Sequence, residues 1–221
     1  MESKTPNSPL ASGKQPIPRL YAILDASSLG QAEGREERLA GFVAELLEGG
    51  ARWVQYRNKV GGAREILRDA QRVRRLAADD VTVILNDRAD LCLAAGCDGV
   101  HLGQDDLSPA GARQVLGNRL WVGVSTHSVE QVRDADRSSA DYIAMGPVFA
   151  TASKQNPDPL VGLAGVSAAR AATRKPLVAI GGINRTNCAS VIEAGADSVA
   201  VLADLIDHPR KSVADFLRLL R

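Results

Sequence analysis

Eight short apolar runs, spaced along the chain and separated by stretches of helical period, constrain this sequence more than any other feature. They are "RLYAILD" (19–25), "WVQYR" (53–57), "VTVILN" (81–86), "GVHL" (99–102), "LWVGVS" (120–125), "YIAMG" (142–146), "PLVAIG" (176–181) and "SVAVL" (198–202). Each has the length of a buried strand. Between them, "REERLAGFVAELLEGG" sets Leu39, Phe42, Val43, Leu46 and Leu47 at helical spacing, and Gly49 and Gly50 can end that helix. "AREILRDAQRVRRLAADD" gathers Ile66, Leu67, Ala70, Val73 and Leu76 on one face. "GVSAARAATR", "TNCASVIEAGA" and "SVADFLRLLR" keep the same period, and Asn184, Thr186 or Asn187 can cap the second of these.

Strands alternating with helices specify an α/β fold, and eight repeats specify a single (β/α)₈ barrel over residues 19–221. A doubly wound open sheet is the competing architecture; the count of eight and the even spacing favour the barrel. "AGCDGV" (95–100) and "AGADSV" (194–199) each join a helix to a strand and read as echoes of one repeated unit. Residues 1–18, rich in Pro, Ser and Gly and lacking an apolar segment, read as a flexible extension rather than a signal peptide.

Composition removes several function classes. The formal net charge is +1, which gives no global attraction to nucleic acid or an acidic membrane. No apolar run approaches the ~20 residues that a membrane span needs. Cys92, Cys97 and Cys188 form no C-x-x-C pair and read as small buried hydrophobes in a reducing, cytoplasmic setting.

Barrel sites lie at the C-terminal ends of the strands. There this chain places Gln55, Arg57 and Lys59, then Asn86 and Asp87, then Gln104, Asp105 and Asp106. Ser125, Thr126 and His127 follow the fifth run, Thr151 to Lys154 the sixth, Gly181–Gly182 the seventh, and Leu202–Ala203 the eighth. Asp87 and Asp106 fall on adjacent strands, and two carboxylates in one mouth repel unless a cation lies between them. Hard oxygen donors suit Mg²⁺, which fills the rest of its shell with water and substrate phosphate. With Arg57, Lys59 and Lys154 at the same rim, the pattern points to a pyrophosphate. The bland alternative is an ion-pair network, with Asp87 on Arg88 or Lys59 and Asp106 capping a helix. The Gly181–Gly182 turn precedes a helix in the part of a barrel that commonly binds a monophosphate.

These residues resemble the thiamine-phosphate synthase family. The carriers are "QYRNK", "NDRADLCLAAGCDGVHLGQDDL", "VGVSTHS", "DYIAMGPVFATASK", "VAIGGI" and "GADSVAV". The resemblance implies a transferase of thiamine biosynthesis, joining hydroxymethylpyrimidine pyrophosphate to a thiazole phosphate with release of pyrophosphate. It implies that Gln55, Arg57, Lys59 and Asn86 hold the pyrimidine and its pyrophosphate, with Ser125 and Lys154 also on the pyrophosphate. Arg57, Lys59, Ser125 and Lys154 would serve the chemistry, and Asp87 and Asp106 would bind Mg²⁺. Thr151, Ala152, Ser153, Gly182, Leu202 and Ala203 would hold the thiazole phosphate. No protein nucleophile is demanded, and His127 reads as a packing or orienting residue.

Three positions depart from the family pattern. Asn58 stands where Glu is usual, which predicts a missing charge partner for Arg57 or Lys59. Ala203 replaces a common Ser, and Leu24 a usual Thr. A thiazole tautomerase and a non-catalytic ligand-binding barrel are the rival readings; Asp87 and Pro147 weigh against the first, and the intact Asp87, Asp106 and Lys154 against the second. The sequence is silent on oligomeric state.

Overall fold

The computed structural model describes residues 14, 16–30, 33–151 and 159–221. Eight parallel strands close into one barrel in chain order: β1 (Leu20–Asp25), β2 (Trp53–Arg57), β3 (Thr82–Asn86), β4 (Gly99–Leu102), β5 (Trp121–Thr126), β6 (Tyr142–Met145), β7 (Leu177–Ile180) and β8 (Ser198–Val201). β8 pairs with β1 through Leu20↔Val199 to seal the ring. All eight apolar runs are therefore strands. Helices follow as α1 (Arg35–Glu48), α2 (Ala63–Leu76), α3 (Ala89–Ala95), α4 (Pro109–Leu116), α5 (Val129–Arg137), α6 (Gly162–Ala172), α7 (Cys188–Glu193) and α8 (Pro209–Leu219). Gly49 caps α1 and Asn187 precedes α7, as the sequence pattern suggests. All three cysteines are free and buried.

Alternation along each strand sorts side chains into two compartments. Outward residues such as Leu20, Ala22, Leu24, Val54, Val83, Val100, Val122 and Val199 pack against the helices. Inward residues fill the barrel: Tyr21, Ile23, Trp53, Ile84, Trp121, Tyr142, Ala144, Val178 and Ala200, with Ile17 of the N-terminal segment beside them. Four of these are aromatic, and their rings meet edge to face; Trp53 and Trp121 lie 4.9 Å apart between centroids. Tyr142 fits only because β5 carries Gly123 at the facing position. A Cβ there would fall 1.9 Å from the Tyr142 ring.

The lower rim carries a repeated clamp. Asp98, just before β4, accepts from the Val83 N–H at 2.7 Å and donates its own N–H to the Val83 carbonyl at 2.8 Å. Asp141 does the same to Val122 ahead of β6, at 2.7 Å for both bonds. Asp197 does it to Leu177 ahead of β8, at 2.8 Å for both. Each carboxylate also meets an arginine from the preceding even-numbered helix: Arg74 at 2.5 Å, Arg113 at 2.5 Å and Arg170 at 2.7 Å. The echo of "AGCDGV" and "AGADSV" is thus a strand-pairing device, and "SSADYI" is its third copy. Lys14 adds a second cation to Asp141 at 2.7 Å and lies 4.9 Å from the centre of the Trp121 ring.

Two predictions follow from these contacts. Asp141→Ala leaves a strand N–H and two cations without their acceptor, and should lower stability by about 1–3 kcal/mol. Asp80→Ala removes only an exposed ion pair with Arg52 and should cost at most about 0.5 kcal/mol. Urea midpoints of the two variants check the contrast. The second concerns His101, an inward residue of β4. Burial pushes its imidazole down to about 4. The unfolded chain takes up this proton below ~6.5 while the folded chain refuses it, so this contribution is complete above 6.5 and is lost as pH falls toward 4. Urea unfolding across that window should show a decline of up to about 3 kcal/mol, largely absent in His101→Gln.

Candidate active site

The strand ends that the sequence marks as polar converge on a cavity of about 970 Å³ above the aromatic filling. Gln55, Arg57, Lys59, Asn86, Asp87, Asp106, Ser125, Thr151, Gly182, Leu202 and Ala203 all line it. Ala152, Ser153 and Lys154 lie outside the described residues. Strand parity explains most of this set. Gln55 and Arg57 continue the inward line of Trp53, Asn86 continues that of Ile84, and Ser125 that of Trp121 and Gly123.

The two basic side chains of the β2 end are already paired. Arg57 is hydrogen-bonded to Asp25, the inward end of β1, which also accepts from the Ser27 N–H at 2.9 Å. Lys59 lies 2.5 Å from Asp87. The expectation that Asn58 deprives either cation of a partner is therefore wrong. Position 58 shares the outward parity of Val54 and Tyr56, so Asn58 faces away from the mouth. Its Oδ1 accepts from the N–H groups of Val60 and Gly61 at 3.1 and 2.8 Å, and its Nδ2 donates to Glu65 at 3.0 Å. It shapes the loop that carries Lys59. Leu24 likewise points outward into the core between barrel and helices, with no bearing on the cavity.

Asp87 leaves β3 with φ 65°, a left-handed conformation uncommon outside glycine. Its N–H is held by the His101 carbonyl at 2.7 Å. This turns the carboxylate over the mouth, on the side of Asp106. Burial, with the Asp106 carboxylate adding to it, holds Asp87 above the usual carboxylate range against the pull of Lys59. One ammonium is too little positive charge for this pair, and a dication with oxygen ligands would correct the deficit. Asp106 commits one oxygen to the Gly103 N–H at 2.7 Å, and Ser108, not Asp106, caps α4. Arg88 pairs with Asp90, not with Asp87. Among the described residues no group of three His, Cys, Asp or Glu side chains could hold a metal. The pair thus suits Mg²⁺, an ion that keeps its waters and takes further oxygens from a substrate, better than an ion caged wholly by protein.

Across the mouth, Gly181 and Gly182 both have positive φ, 98° and 65°. The segment after β6 runs alongside them, with Phe149 N–H on the Gly181 carbonyl at 3.0 Å. A Cβ on Gly182 would lie 2.5 Å from the Ala150 carbonyl oxygen. Only glycine lets these two backbones meet, and Thr151, just beyond that meeting, lines the cavity together with Gly182, Leu202 and Ala203. At the end of β3, the Asn86 amide Nδ2 is buried without a hydrogen-bond partner among the described residues. A buried orphan donor facing a cavity is a place for a ligand acceptor. His127 binds the Gly146 carbonyl through Nδ1 at 2.6 Å, which fits an orienting role.

Tyr21 and His101, which the sequence pattern does not mark, form the cavity floor with Gln55 and Ser125. Both lie inside apolar runs, where a hydroxyl or an imidazole among Leu, Ile and Val reads as packing. The inward parity shared with Asp25 and Asn86 was the available signal.

The thiamine monophosphate synthase family profile matches residues 20–205. A thiamine-phosphate synthase from Koribacter versatilis is 56% identical over 211 residues, which is 96% of this chain and 99% of the relative. One from Chloroflexus aurantiacus is 42% identical and covers 85% of each chain. The solved structure of thiamine phosphate pyrophosphorylase from Pyrococcus furiosus superposes with a TM-score of 0.80 at 31% identity, over 91% of this chain and 95% of that one. Phosphate-binding glycines are common to many barrels, but these matches span every strand, including the acidic ends of β3 and β4: the chain belongs to the thiamine monophosphate synthase family.

Proposed function

We propose that this cavity joins hydroxymethylpyrimidine pyrophosphate to a thiazole phosphate, giving thiamine phosphate and pyrophosphate. The observation that carries this reading is one mouth with two polar halves, each of a chemistry suited to an anion. The half at β2 to β5 offers paired acids, two basic side chains and the orphan Asn86 donor; the half at β7 and β8 offers glycine backbone beside Thr151. A reaction that brings a pyrophosphate ester and a monophosphate together needs both.

In the reaction the methylene carbon–oxygen bond of the pyrimidine ester breaks, and its electron pair leaves with the pyrophosphate. The thiazole nitrogen then donates its lone pair to the methylene carbon, becoming the ring cation of the product. No proton changes hands at the bond that forms, so the step demands no protein nucleophile or general base. The chain's own work is to position two ligands and to stabilise charge on the leaving group. Arg57, Lys59, Ser125 and Lys154 are assigned to the pyrophosphate, Gln55 and Asn86 to the pyrimidine. Thr151, Ala152, Ser153, Gly182, Leu202 and Ala203 are assigned to the thiazole phosphate. Mg²⁺ held by Asp87 and Asp106 would supply Lewis-acid charge to the departing pyrophosphate. Among the described residues no helix is long and apolar enough to cross a membrane; a cytoplasmic site of action belongs to this proposal.

Pyrophosphate release from both substrates, with and without Mg²⁺, tests the reading. Asp87→Ala and Asp106→Ala should each nearly abolish turnover while keeping the circular dichroism spectrum of the wild type. Near-normal rates in either variant at limiting Mg²⁺ would remove the metal assignment. Lys154→Ala should lower kcat by at least about tenfold, ~1.4 kcal/mol of barrier, with a smaller change in pyrimidine pyrophosphate affinity. Single-turnover rates beside equilibrium binding separate the two effects, and Lys154→Arg should recover part of the loss.

A further inference from the structure

Beneath the cavity, five side chains from five strands form a continuous hydrogen-bonded chain. Gln55 Nε2 donates to the Tyr21 hydroxyl at 2.7 Å, and Tyr21 and Tyr142 hydroxyls lie 3.0 Å apart. The Tyr142 hydroxyl lies 3.0 Å from His101 Nδ1, and His101 Nε2 lies 2.9 Å from Ser125 Oγ. Gln55, Tyr21, Tyr142 and His101 are buried, while Ser125 is half-buried and lines the cavity.

With the Gln55 amide turned so that Nε2 faces Tyr21, counting hydrogens gives the chain one direction. The Gln55 amide nitrogen can only donate, so the Tyr21 oxygen accepts from it. Among these partners the Tyr21 hydrogen then has one acceptor, the Tyr142 oxygen. Were Tyr142 to donate to Tyr21 instead, the Tyr21 hydrogen would be buried without an acceptor, at the cost of an unmade bond. Tyr142 must therefore donate to His101 Nδ1. A neutral imidazole that accepts at Nδ1 carries its proton on Nε2, and that N–H is directed at Ser125. Ser125 Oγ accepts it, and its own hydrogen is left to the cavity.

We propose that His101 is a positioning residue, locked by Tyr142 as the Nε2–H tautomer, that makes the Ser125 hydroxyl a donor to the pyrophosphate leaving group. The chain transmits orientation and not protons. Burial pushes the Tyr21 phenol up to about 12 and raises that of Tyr142 well above its ordinary value, so both keep their hydrogens. The stack of the His101 and Tyr142 rings, 24° from parallel, holds the imidazole in plane for both bonds. The same direction leaves Gln55 Oε1 as the free end of its amide, an acceptor suited to the amino group of the pyrimidine. A hydroxyl that already points outward need not reorganise as charge builds on the leaving oxygen.

This inference rests on the assignment of Ser125 to the pyrophosphate, so its test has one arm that needs no substrate. In ¹⁵N-histidine-labelled wild-type protein at pH 7, His101 should show a protonated Nε2 and a bare Nδ1, with its signals identified by their loss in His101→Asn. A protonated Nδ1 overturns the proposal whatever the activity; absent turnover in the wild type would instead overturn the functional reading. The second arm is kinetic. Tyr142→Phe should release the tautomer to a mixture and lower kcat roughly threefold to tenfold, the range one misdirected hydrogen bond spans, with less effect on KM. In a Ser125→Ala background the same change should lower kcat no further, because its route of action is gone. Additive losses in the double variant would reduce Tyr142 and His101 to packing and sink the proposal.

Discussion

A closed sheet of eight strands has an interior that must be filled, and the way this chain fills it decides the rest. Branched aliphatic residues commonly occupy such interiors. Here Tyr21, Trp53, Trp121 and Tyr142 take the space, although aromatic residues make up only 4% of the sequence. Rings this large leave no room for a side chain at Gly123. They also bring hydroxyl groups to the top of the apolar filling, where buried oxygens require partners. Gln55, His101 and Ser125 meet that requirement, and they are at once the floor of the cavity. The polar floor of the cavity is therefore the satisfied upper surface of the core.

Charge at the mouth is arranged with the same economy. Each cation at the end of β2 rests on an acid from a neighbouring strand, Arg57 on Asp25 and Lys59 on Asp87. These pairs hold long side chains in defined places before any ligand arrives, which reduces the ordering that binding would otherwise require. Asp87 stands at the junction of both arrangements. It neighbours Lys59 on one side and Asp106 on the other, and its left-handed backbone aims it between them.

The barrel was legible in the sequence because eight apolar runs at even spacing admit few other closures. Their polar ends were legible too, since Asp87, Asp106 and Ser125 interrupt hydrophobic segments where strands stop. What escaped was direction. "RLYAILD" and "VTVILN" are apolar on both faces, as strands covered on each side must be, so parity cannot be read from hydropathy. That is why Asn58 reads as a lost partner for the cations when it points away from them, and why Tyr21 and His101 read as packing. The floor was further hidden because Gln55, Tyr21, Tyr142, His101 and Ser125 come from five strands and meet only through a register that one strand alone does not encode.

The aspartate clamps at the lower rim bear on how such a ring assembles. They join residues only 15, 19 and 20 positions apart, Val83 to Asp98, Val122 to Asp141 and Leu177 to Asp197. The β1–β8 seam instead unites Leu20 with Val199, nearly the ends of the chain. The entropy of closing a loop grows with its length, so the clamps are the least demanding long-lived contacts and the seam the most demanding. The corresponding position ahead of β2 is Arg52, which has no carboxylate to offer. Three two-stranded units thus carry their own local latch, and the β1–β2 unit is held by its ladder without that latch.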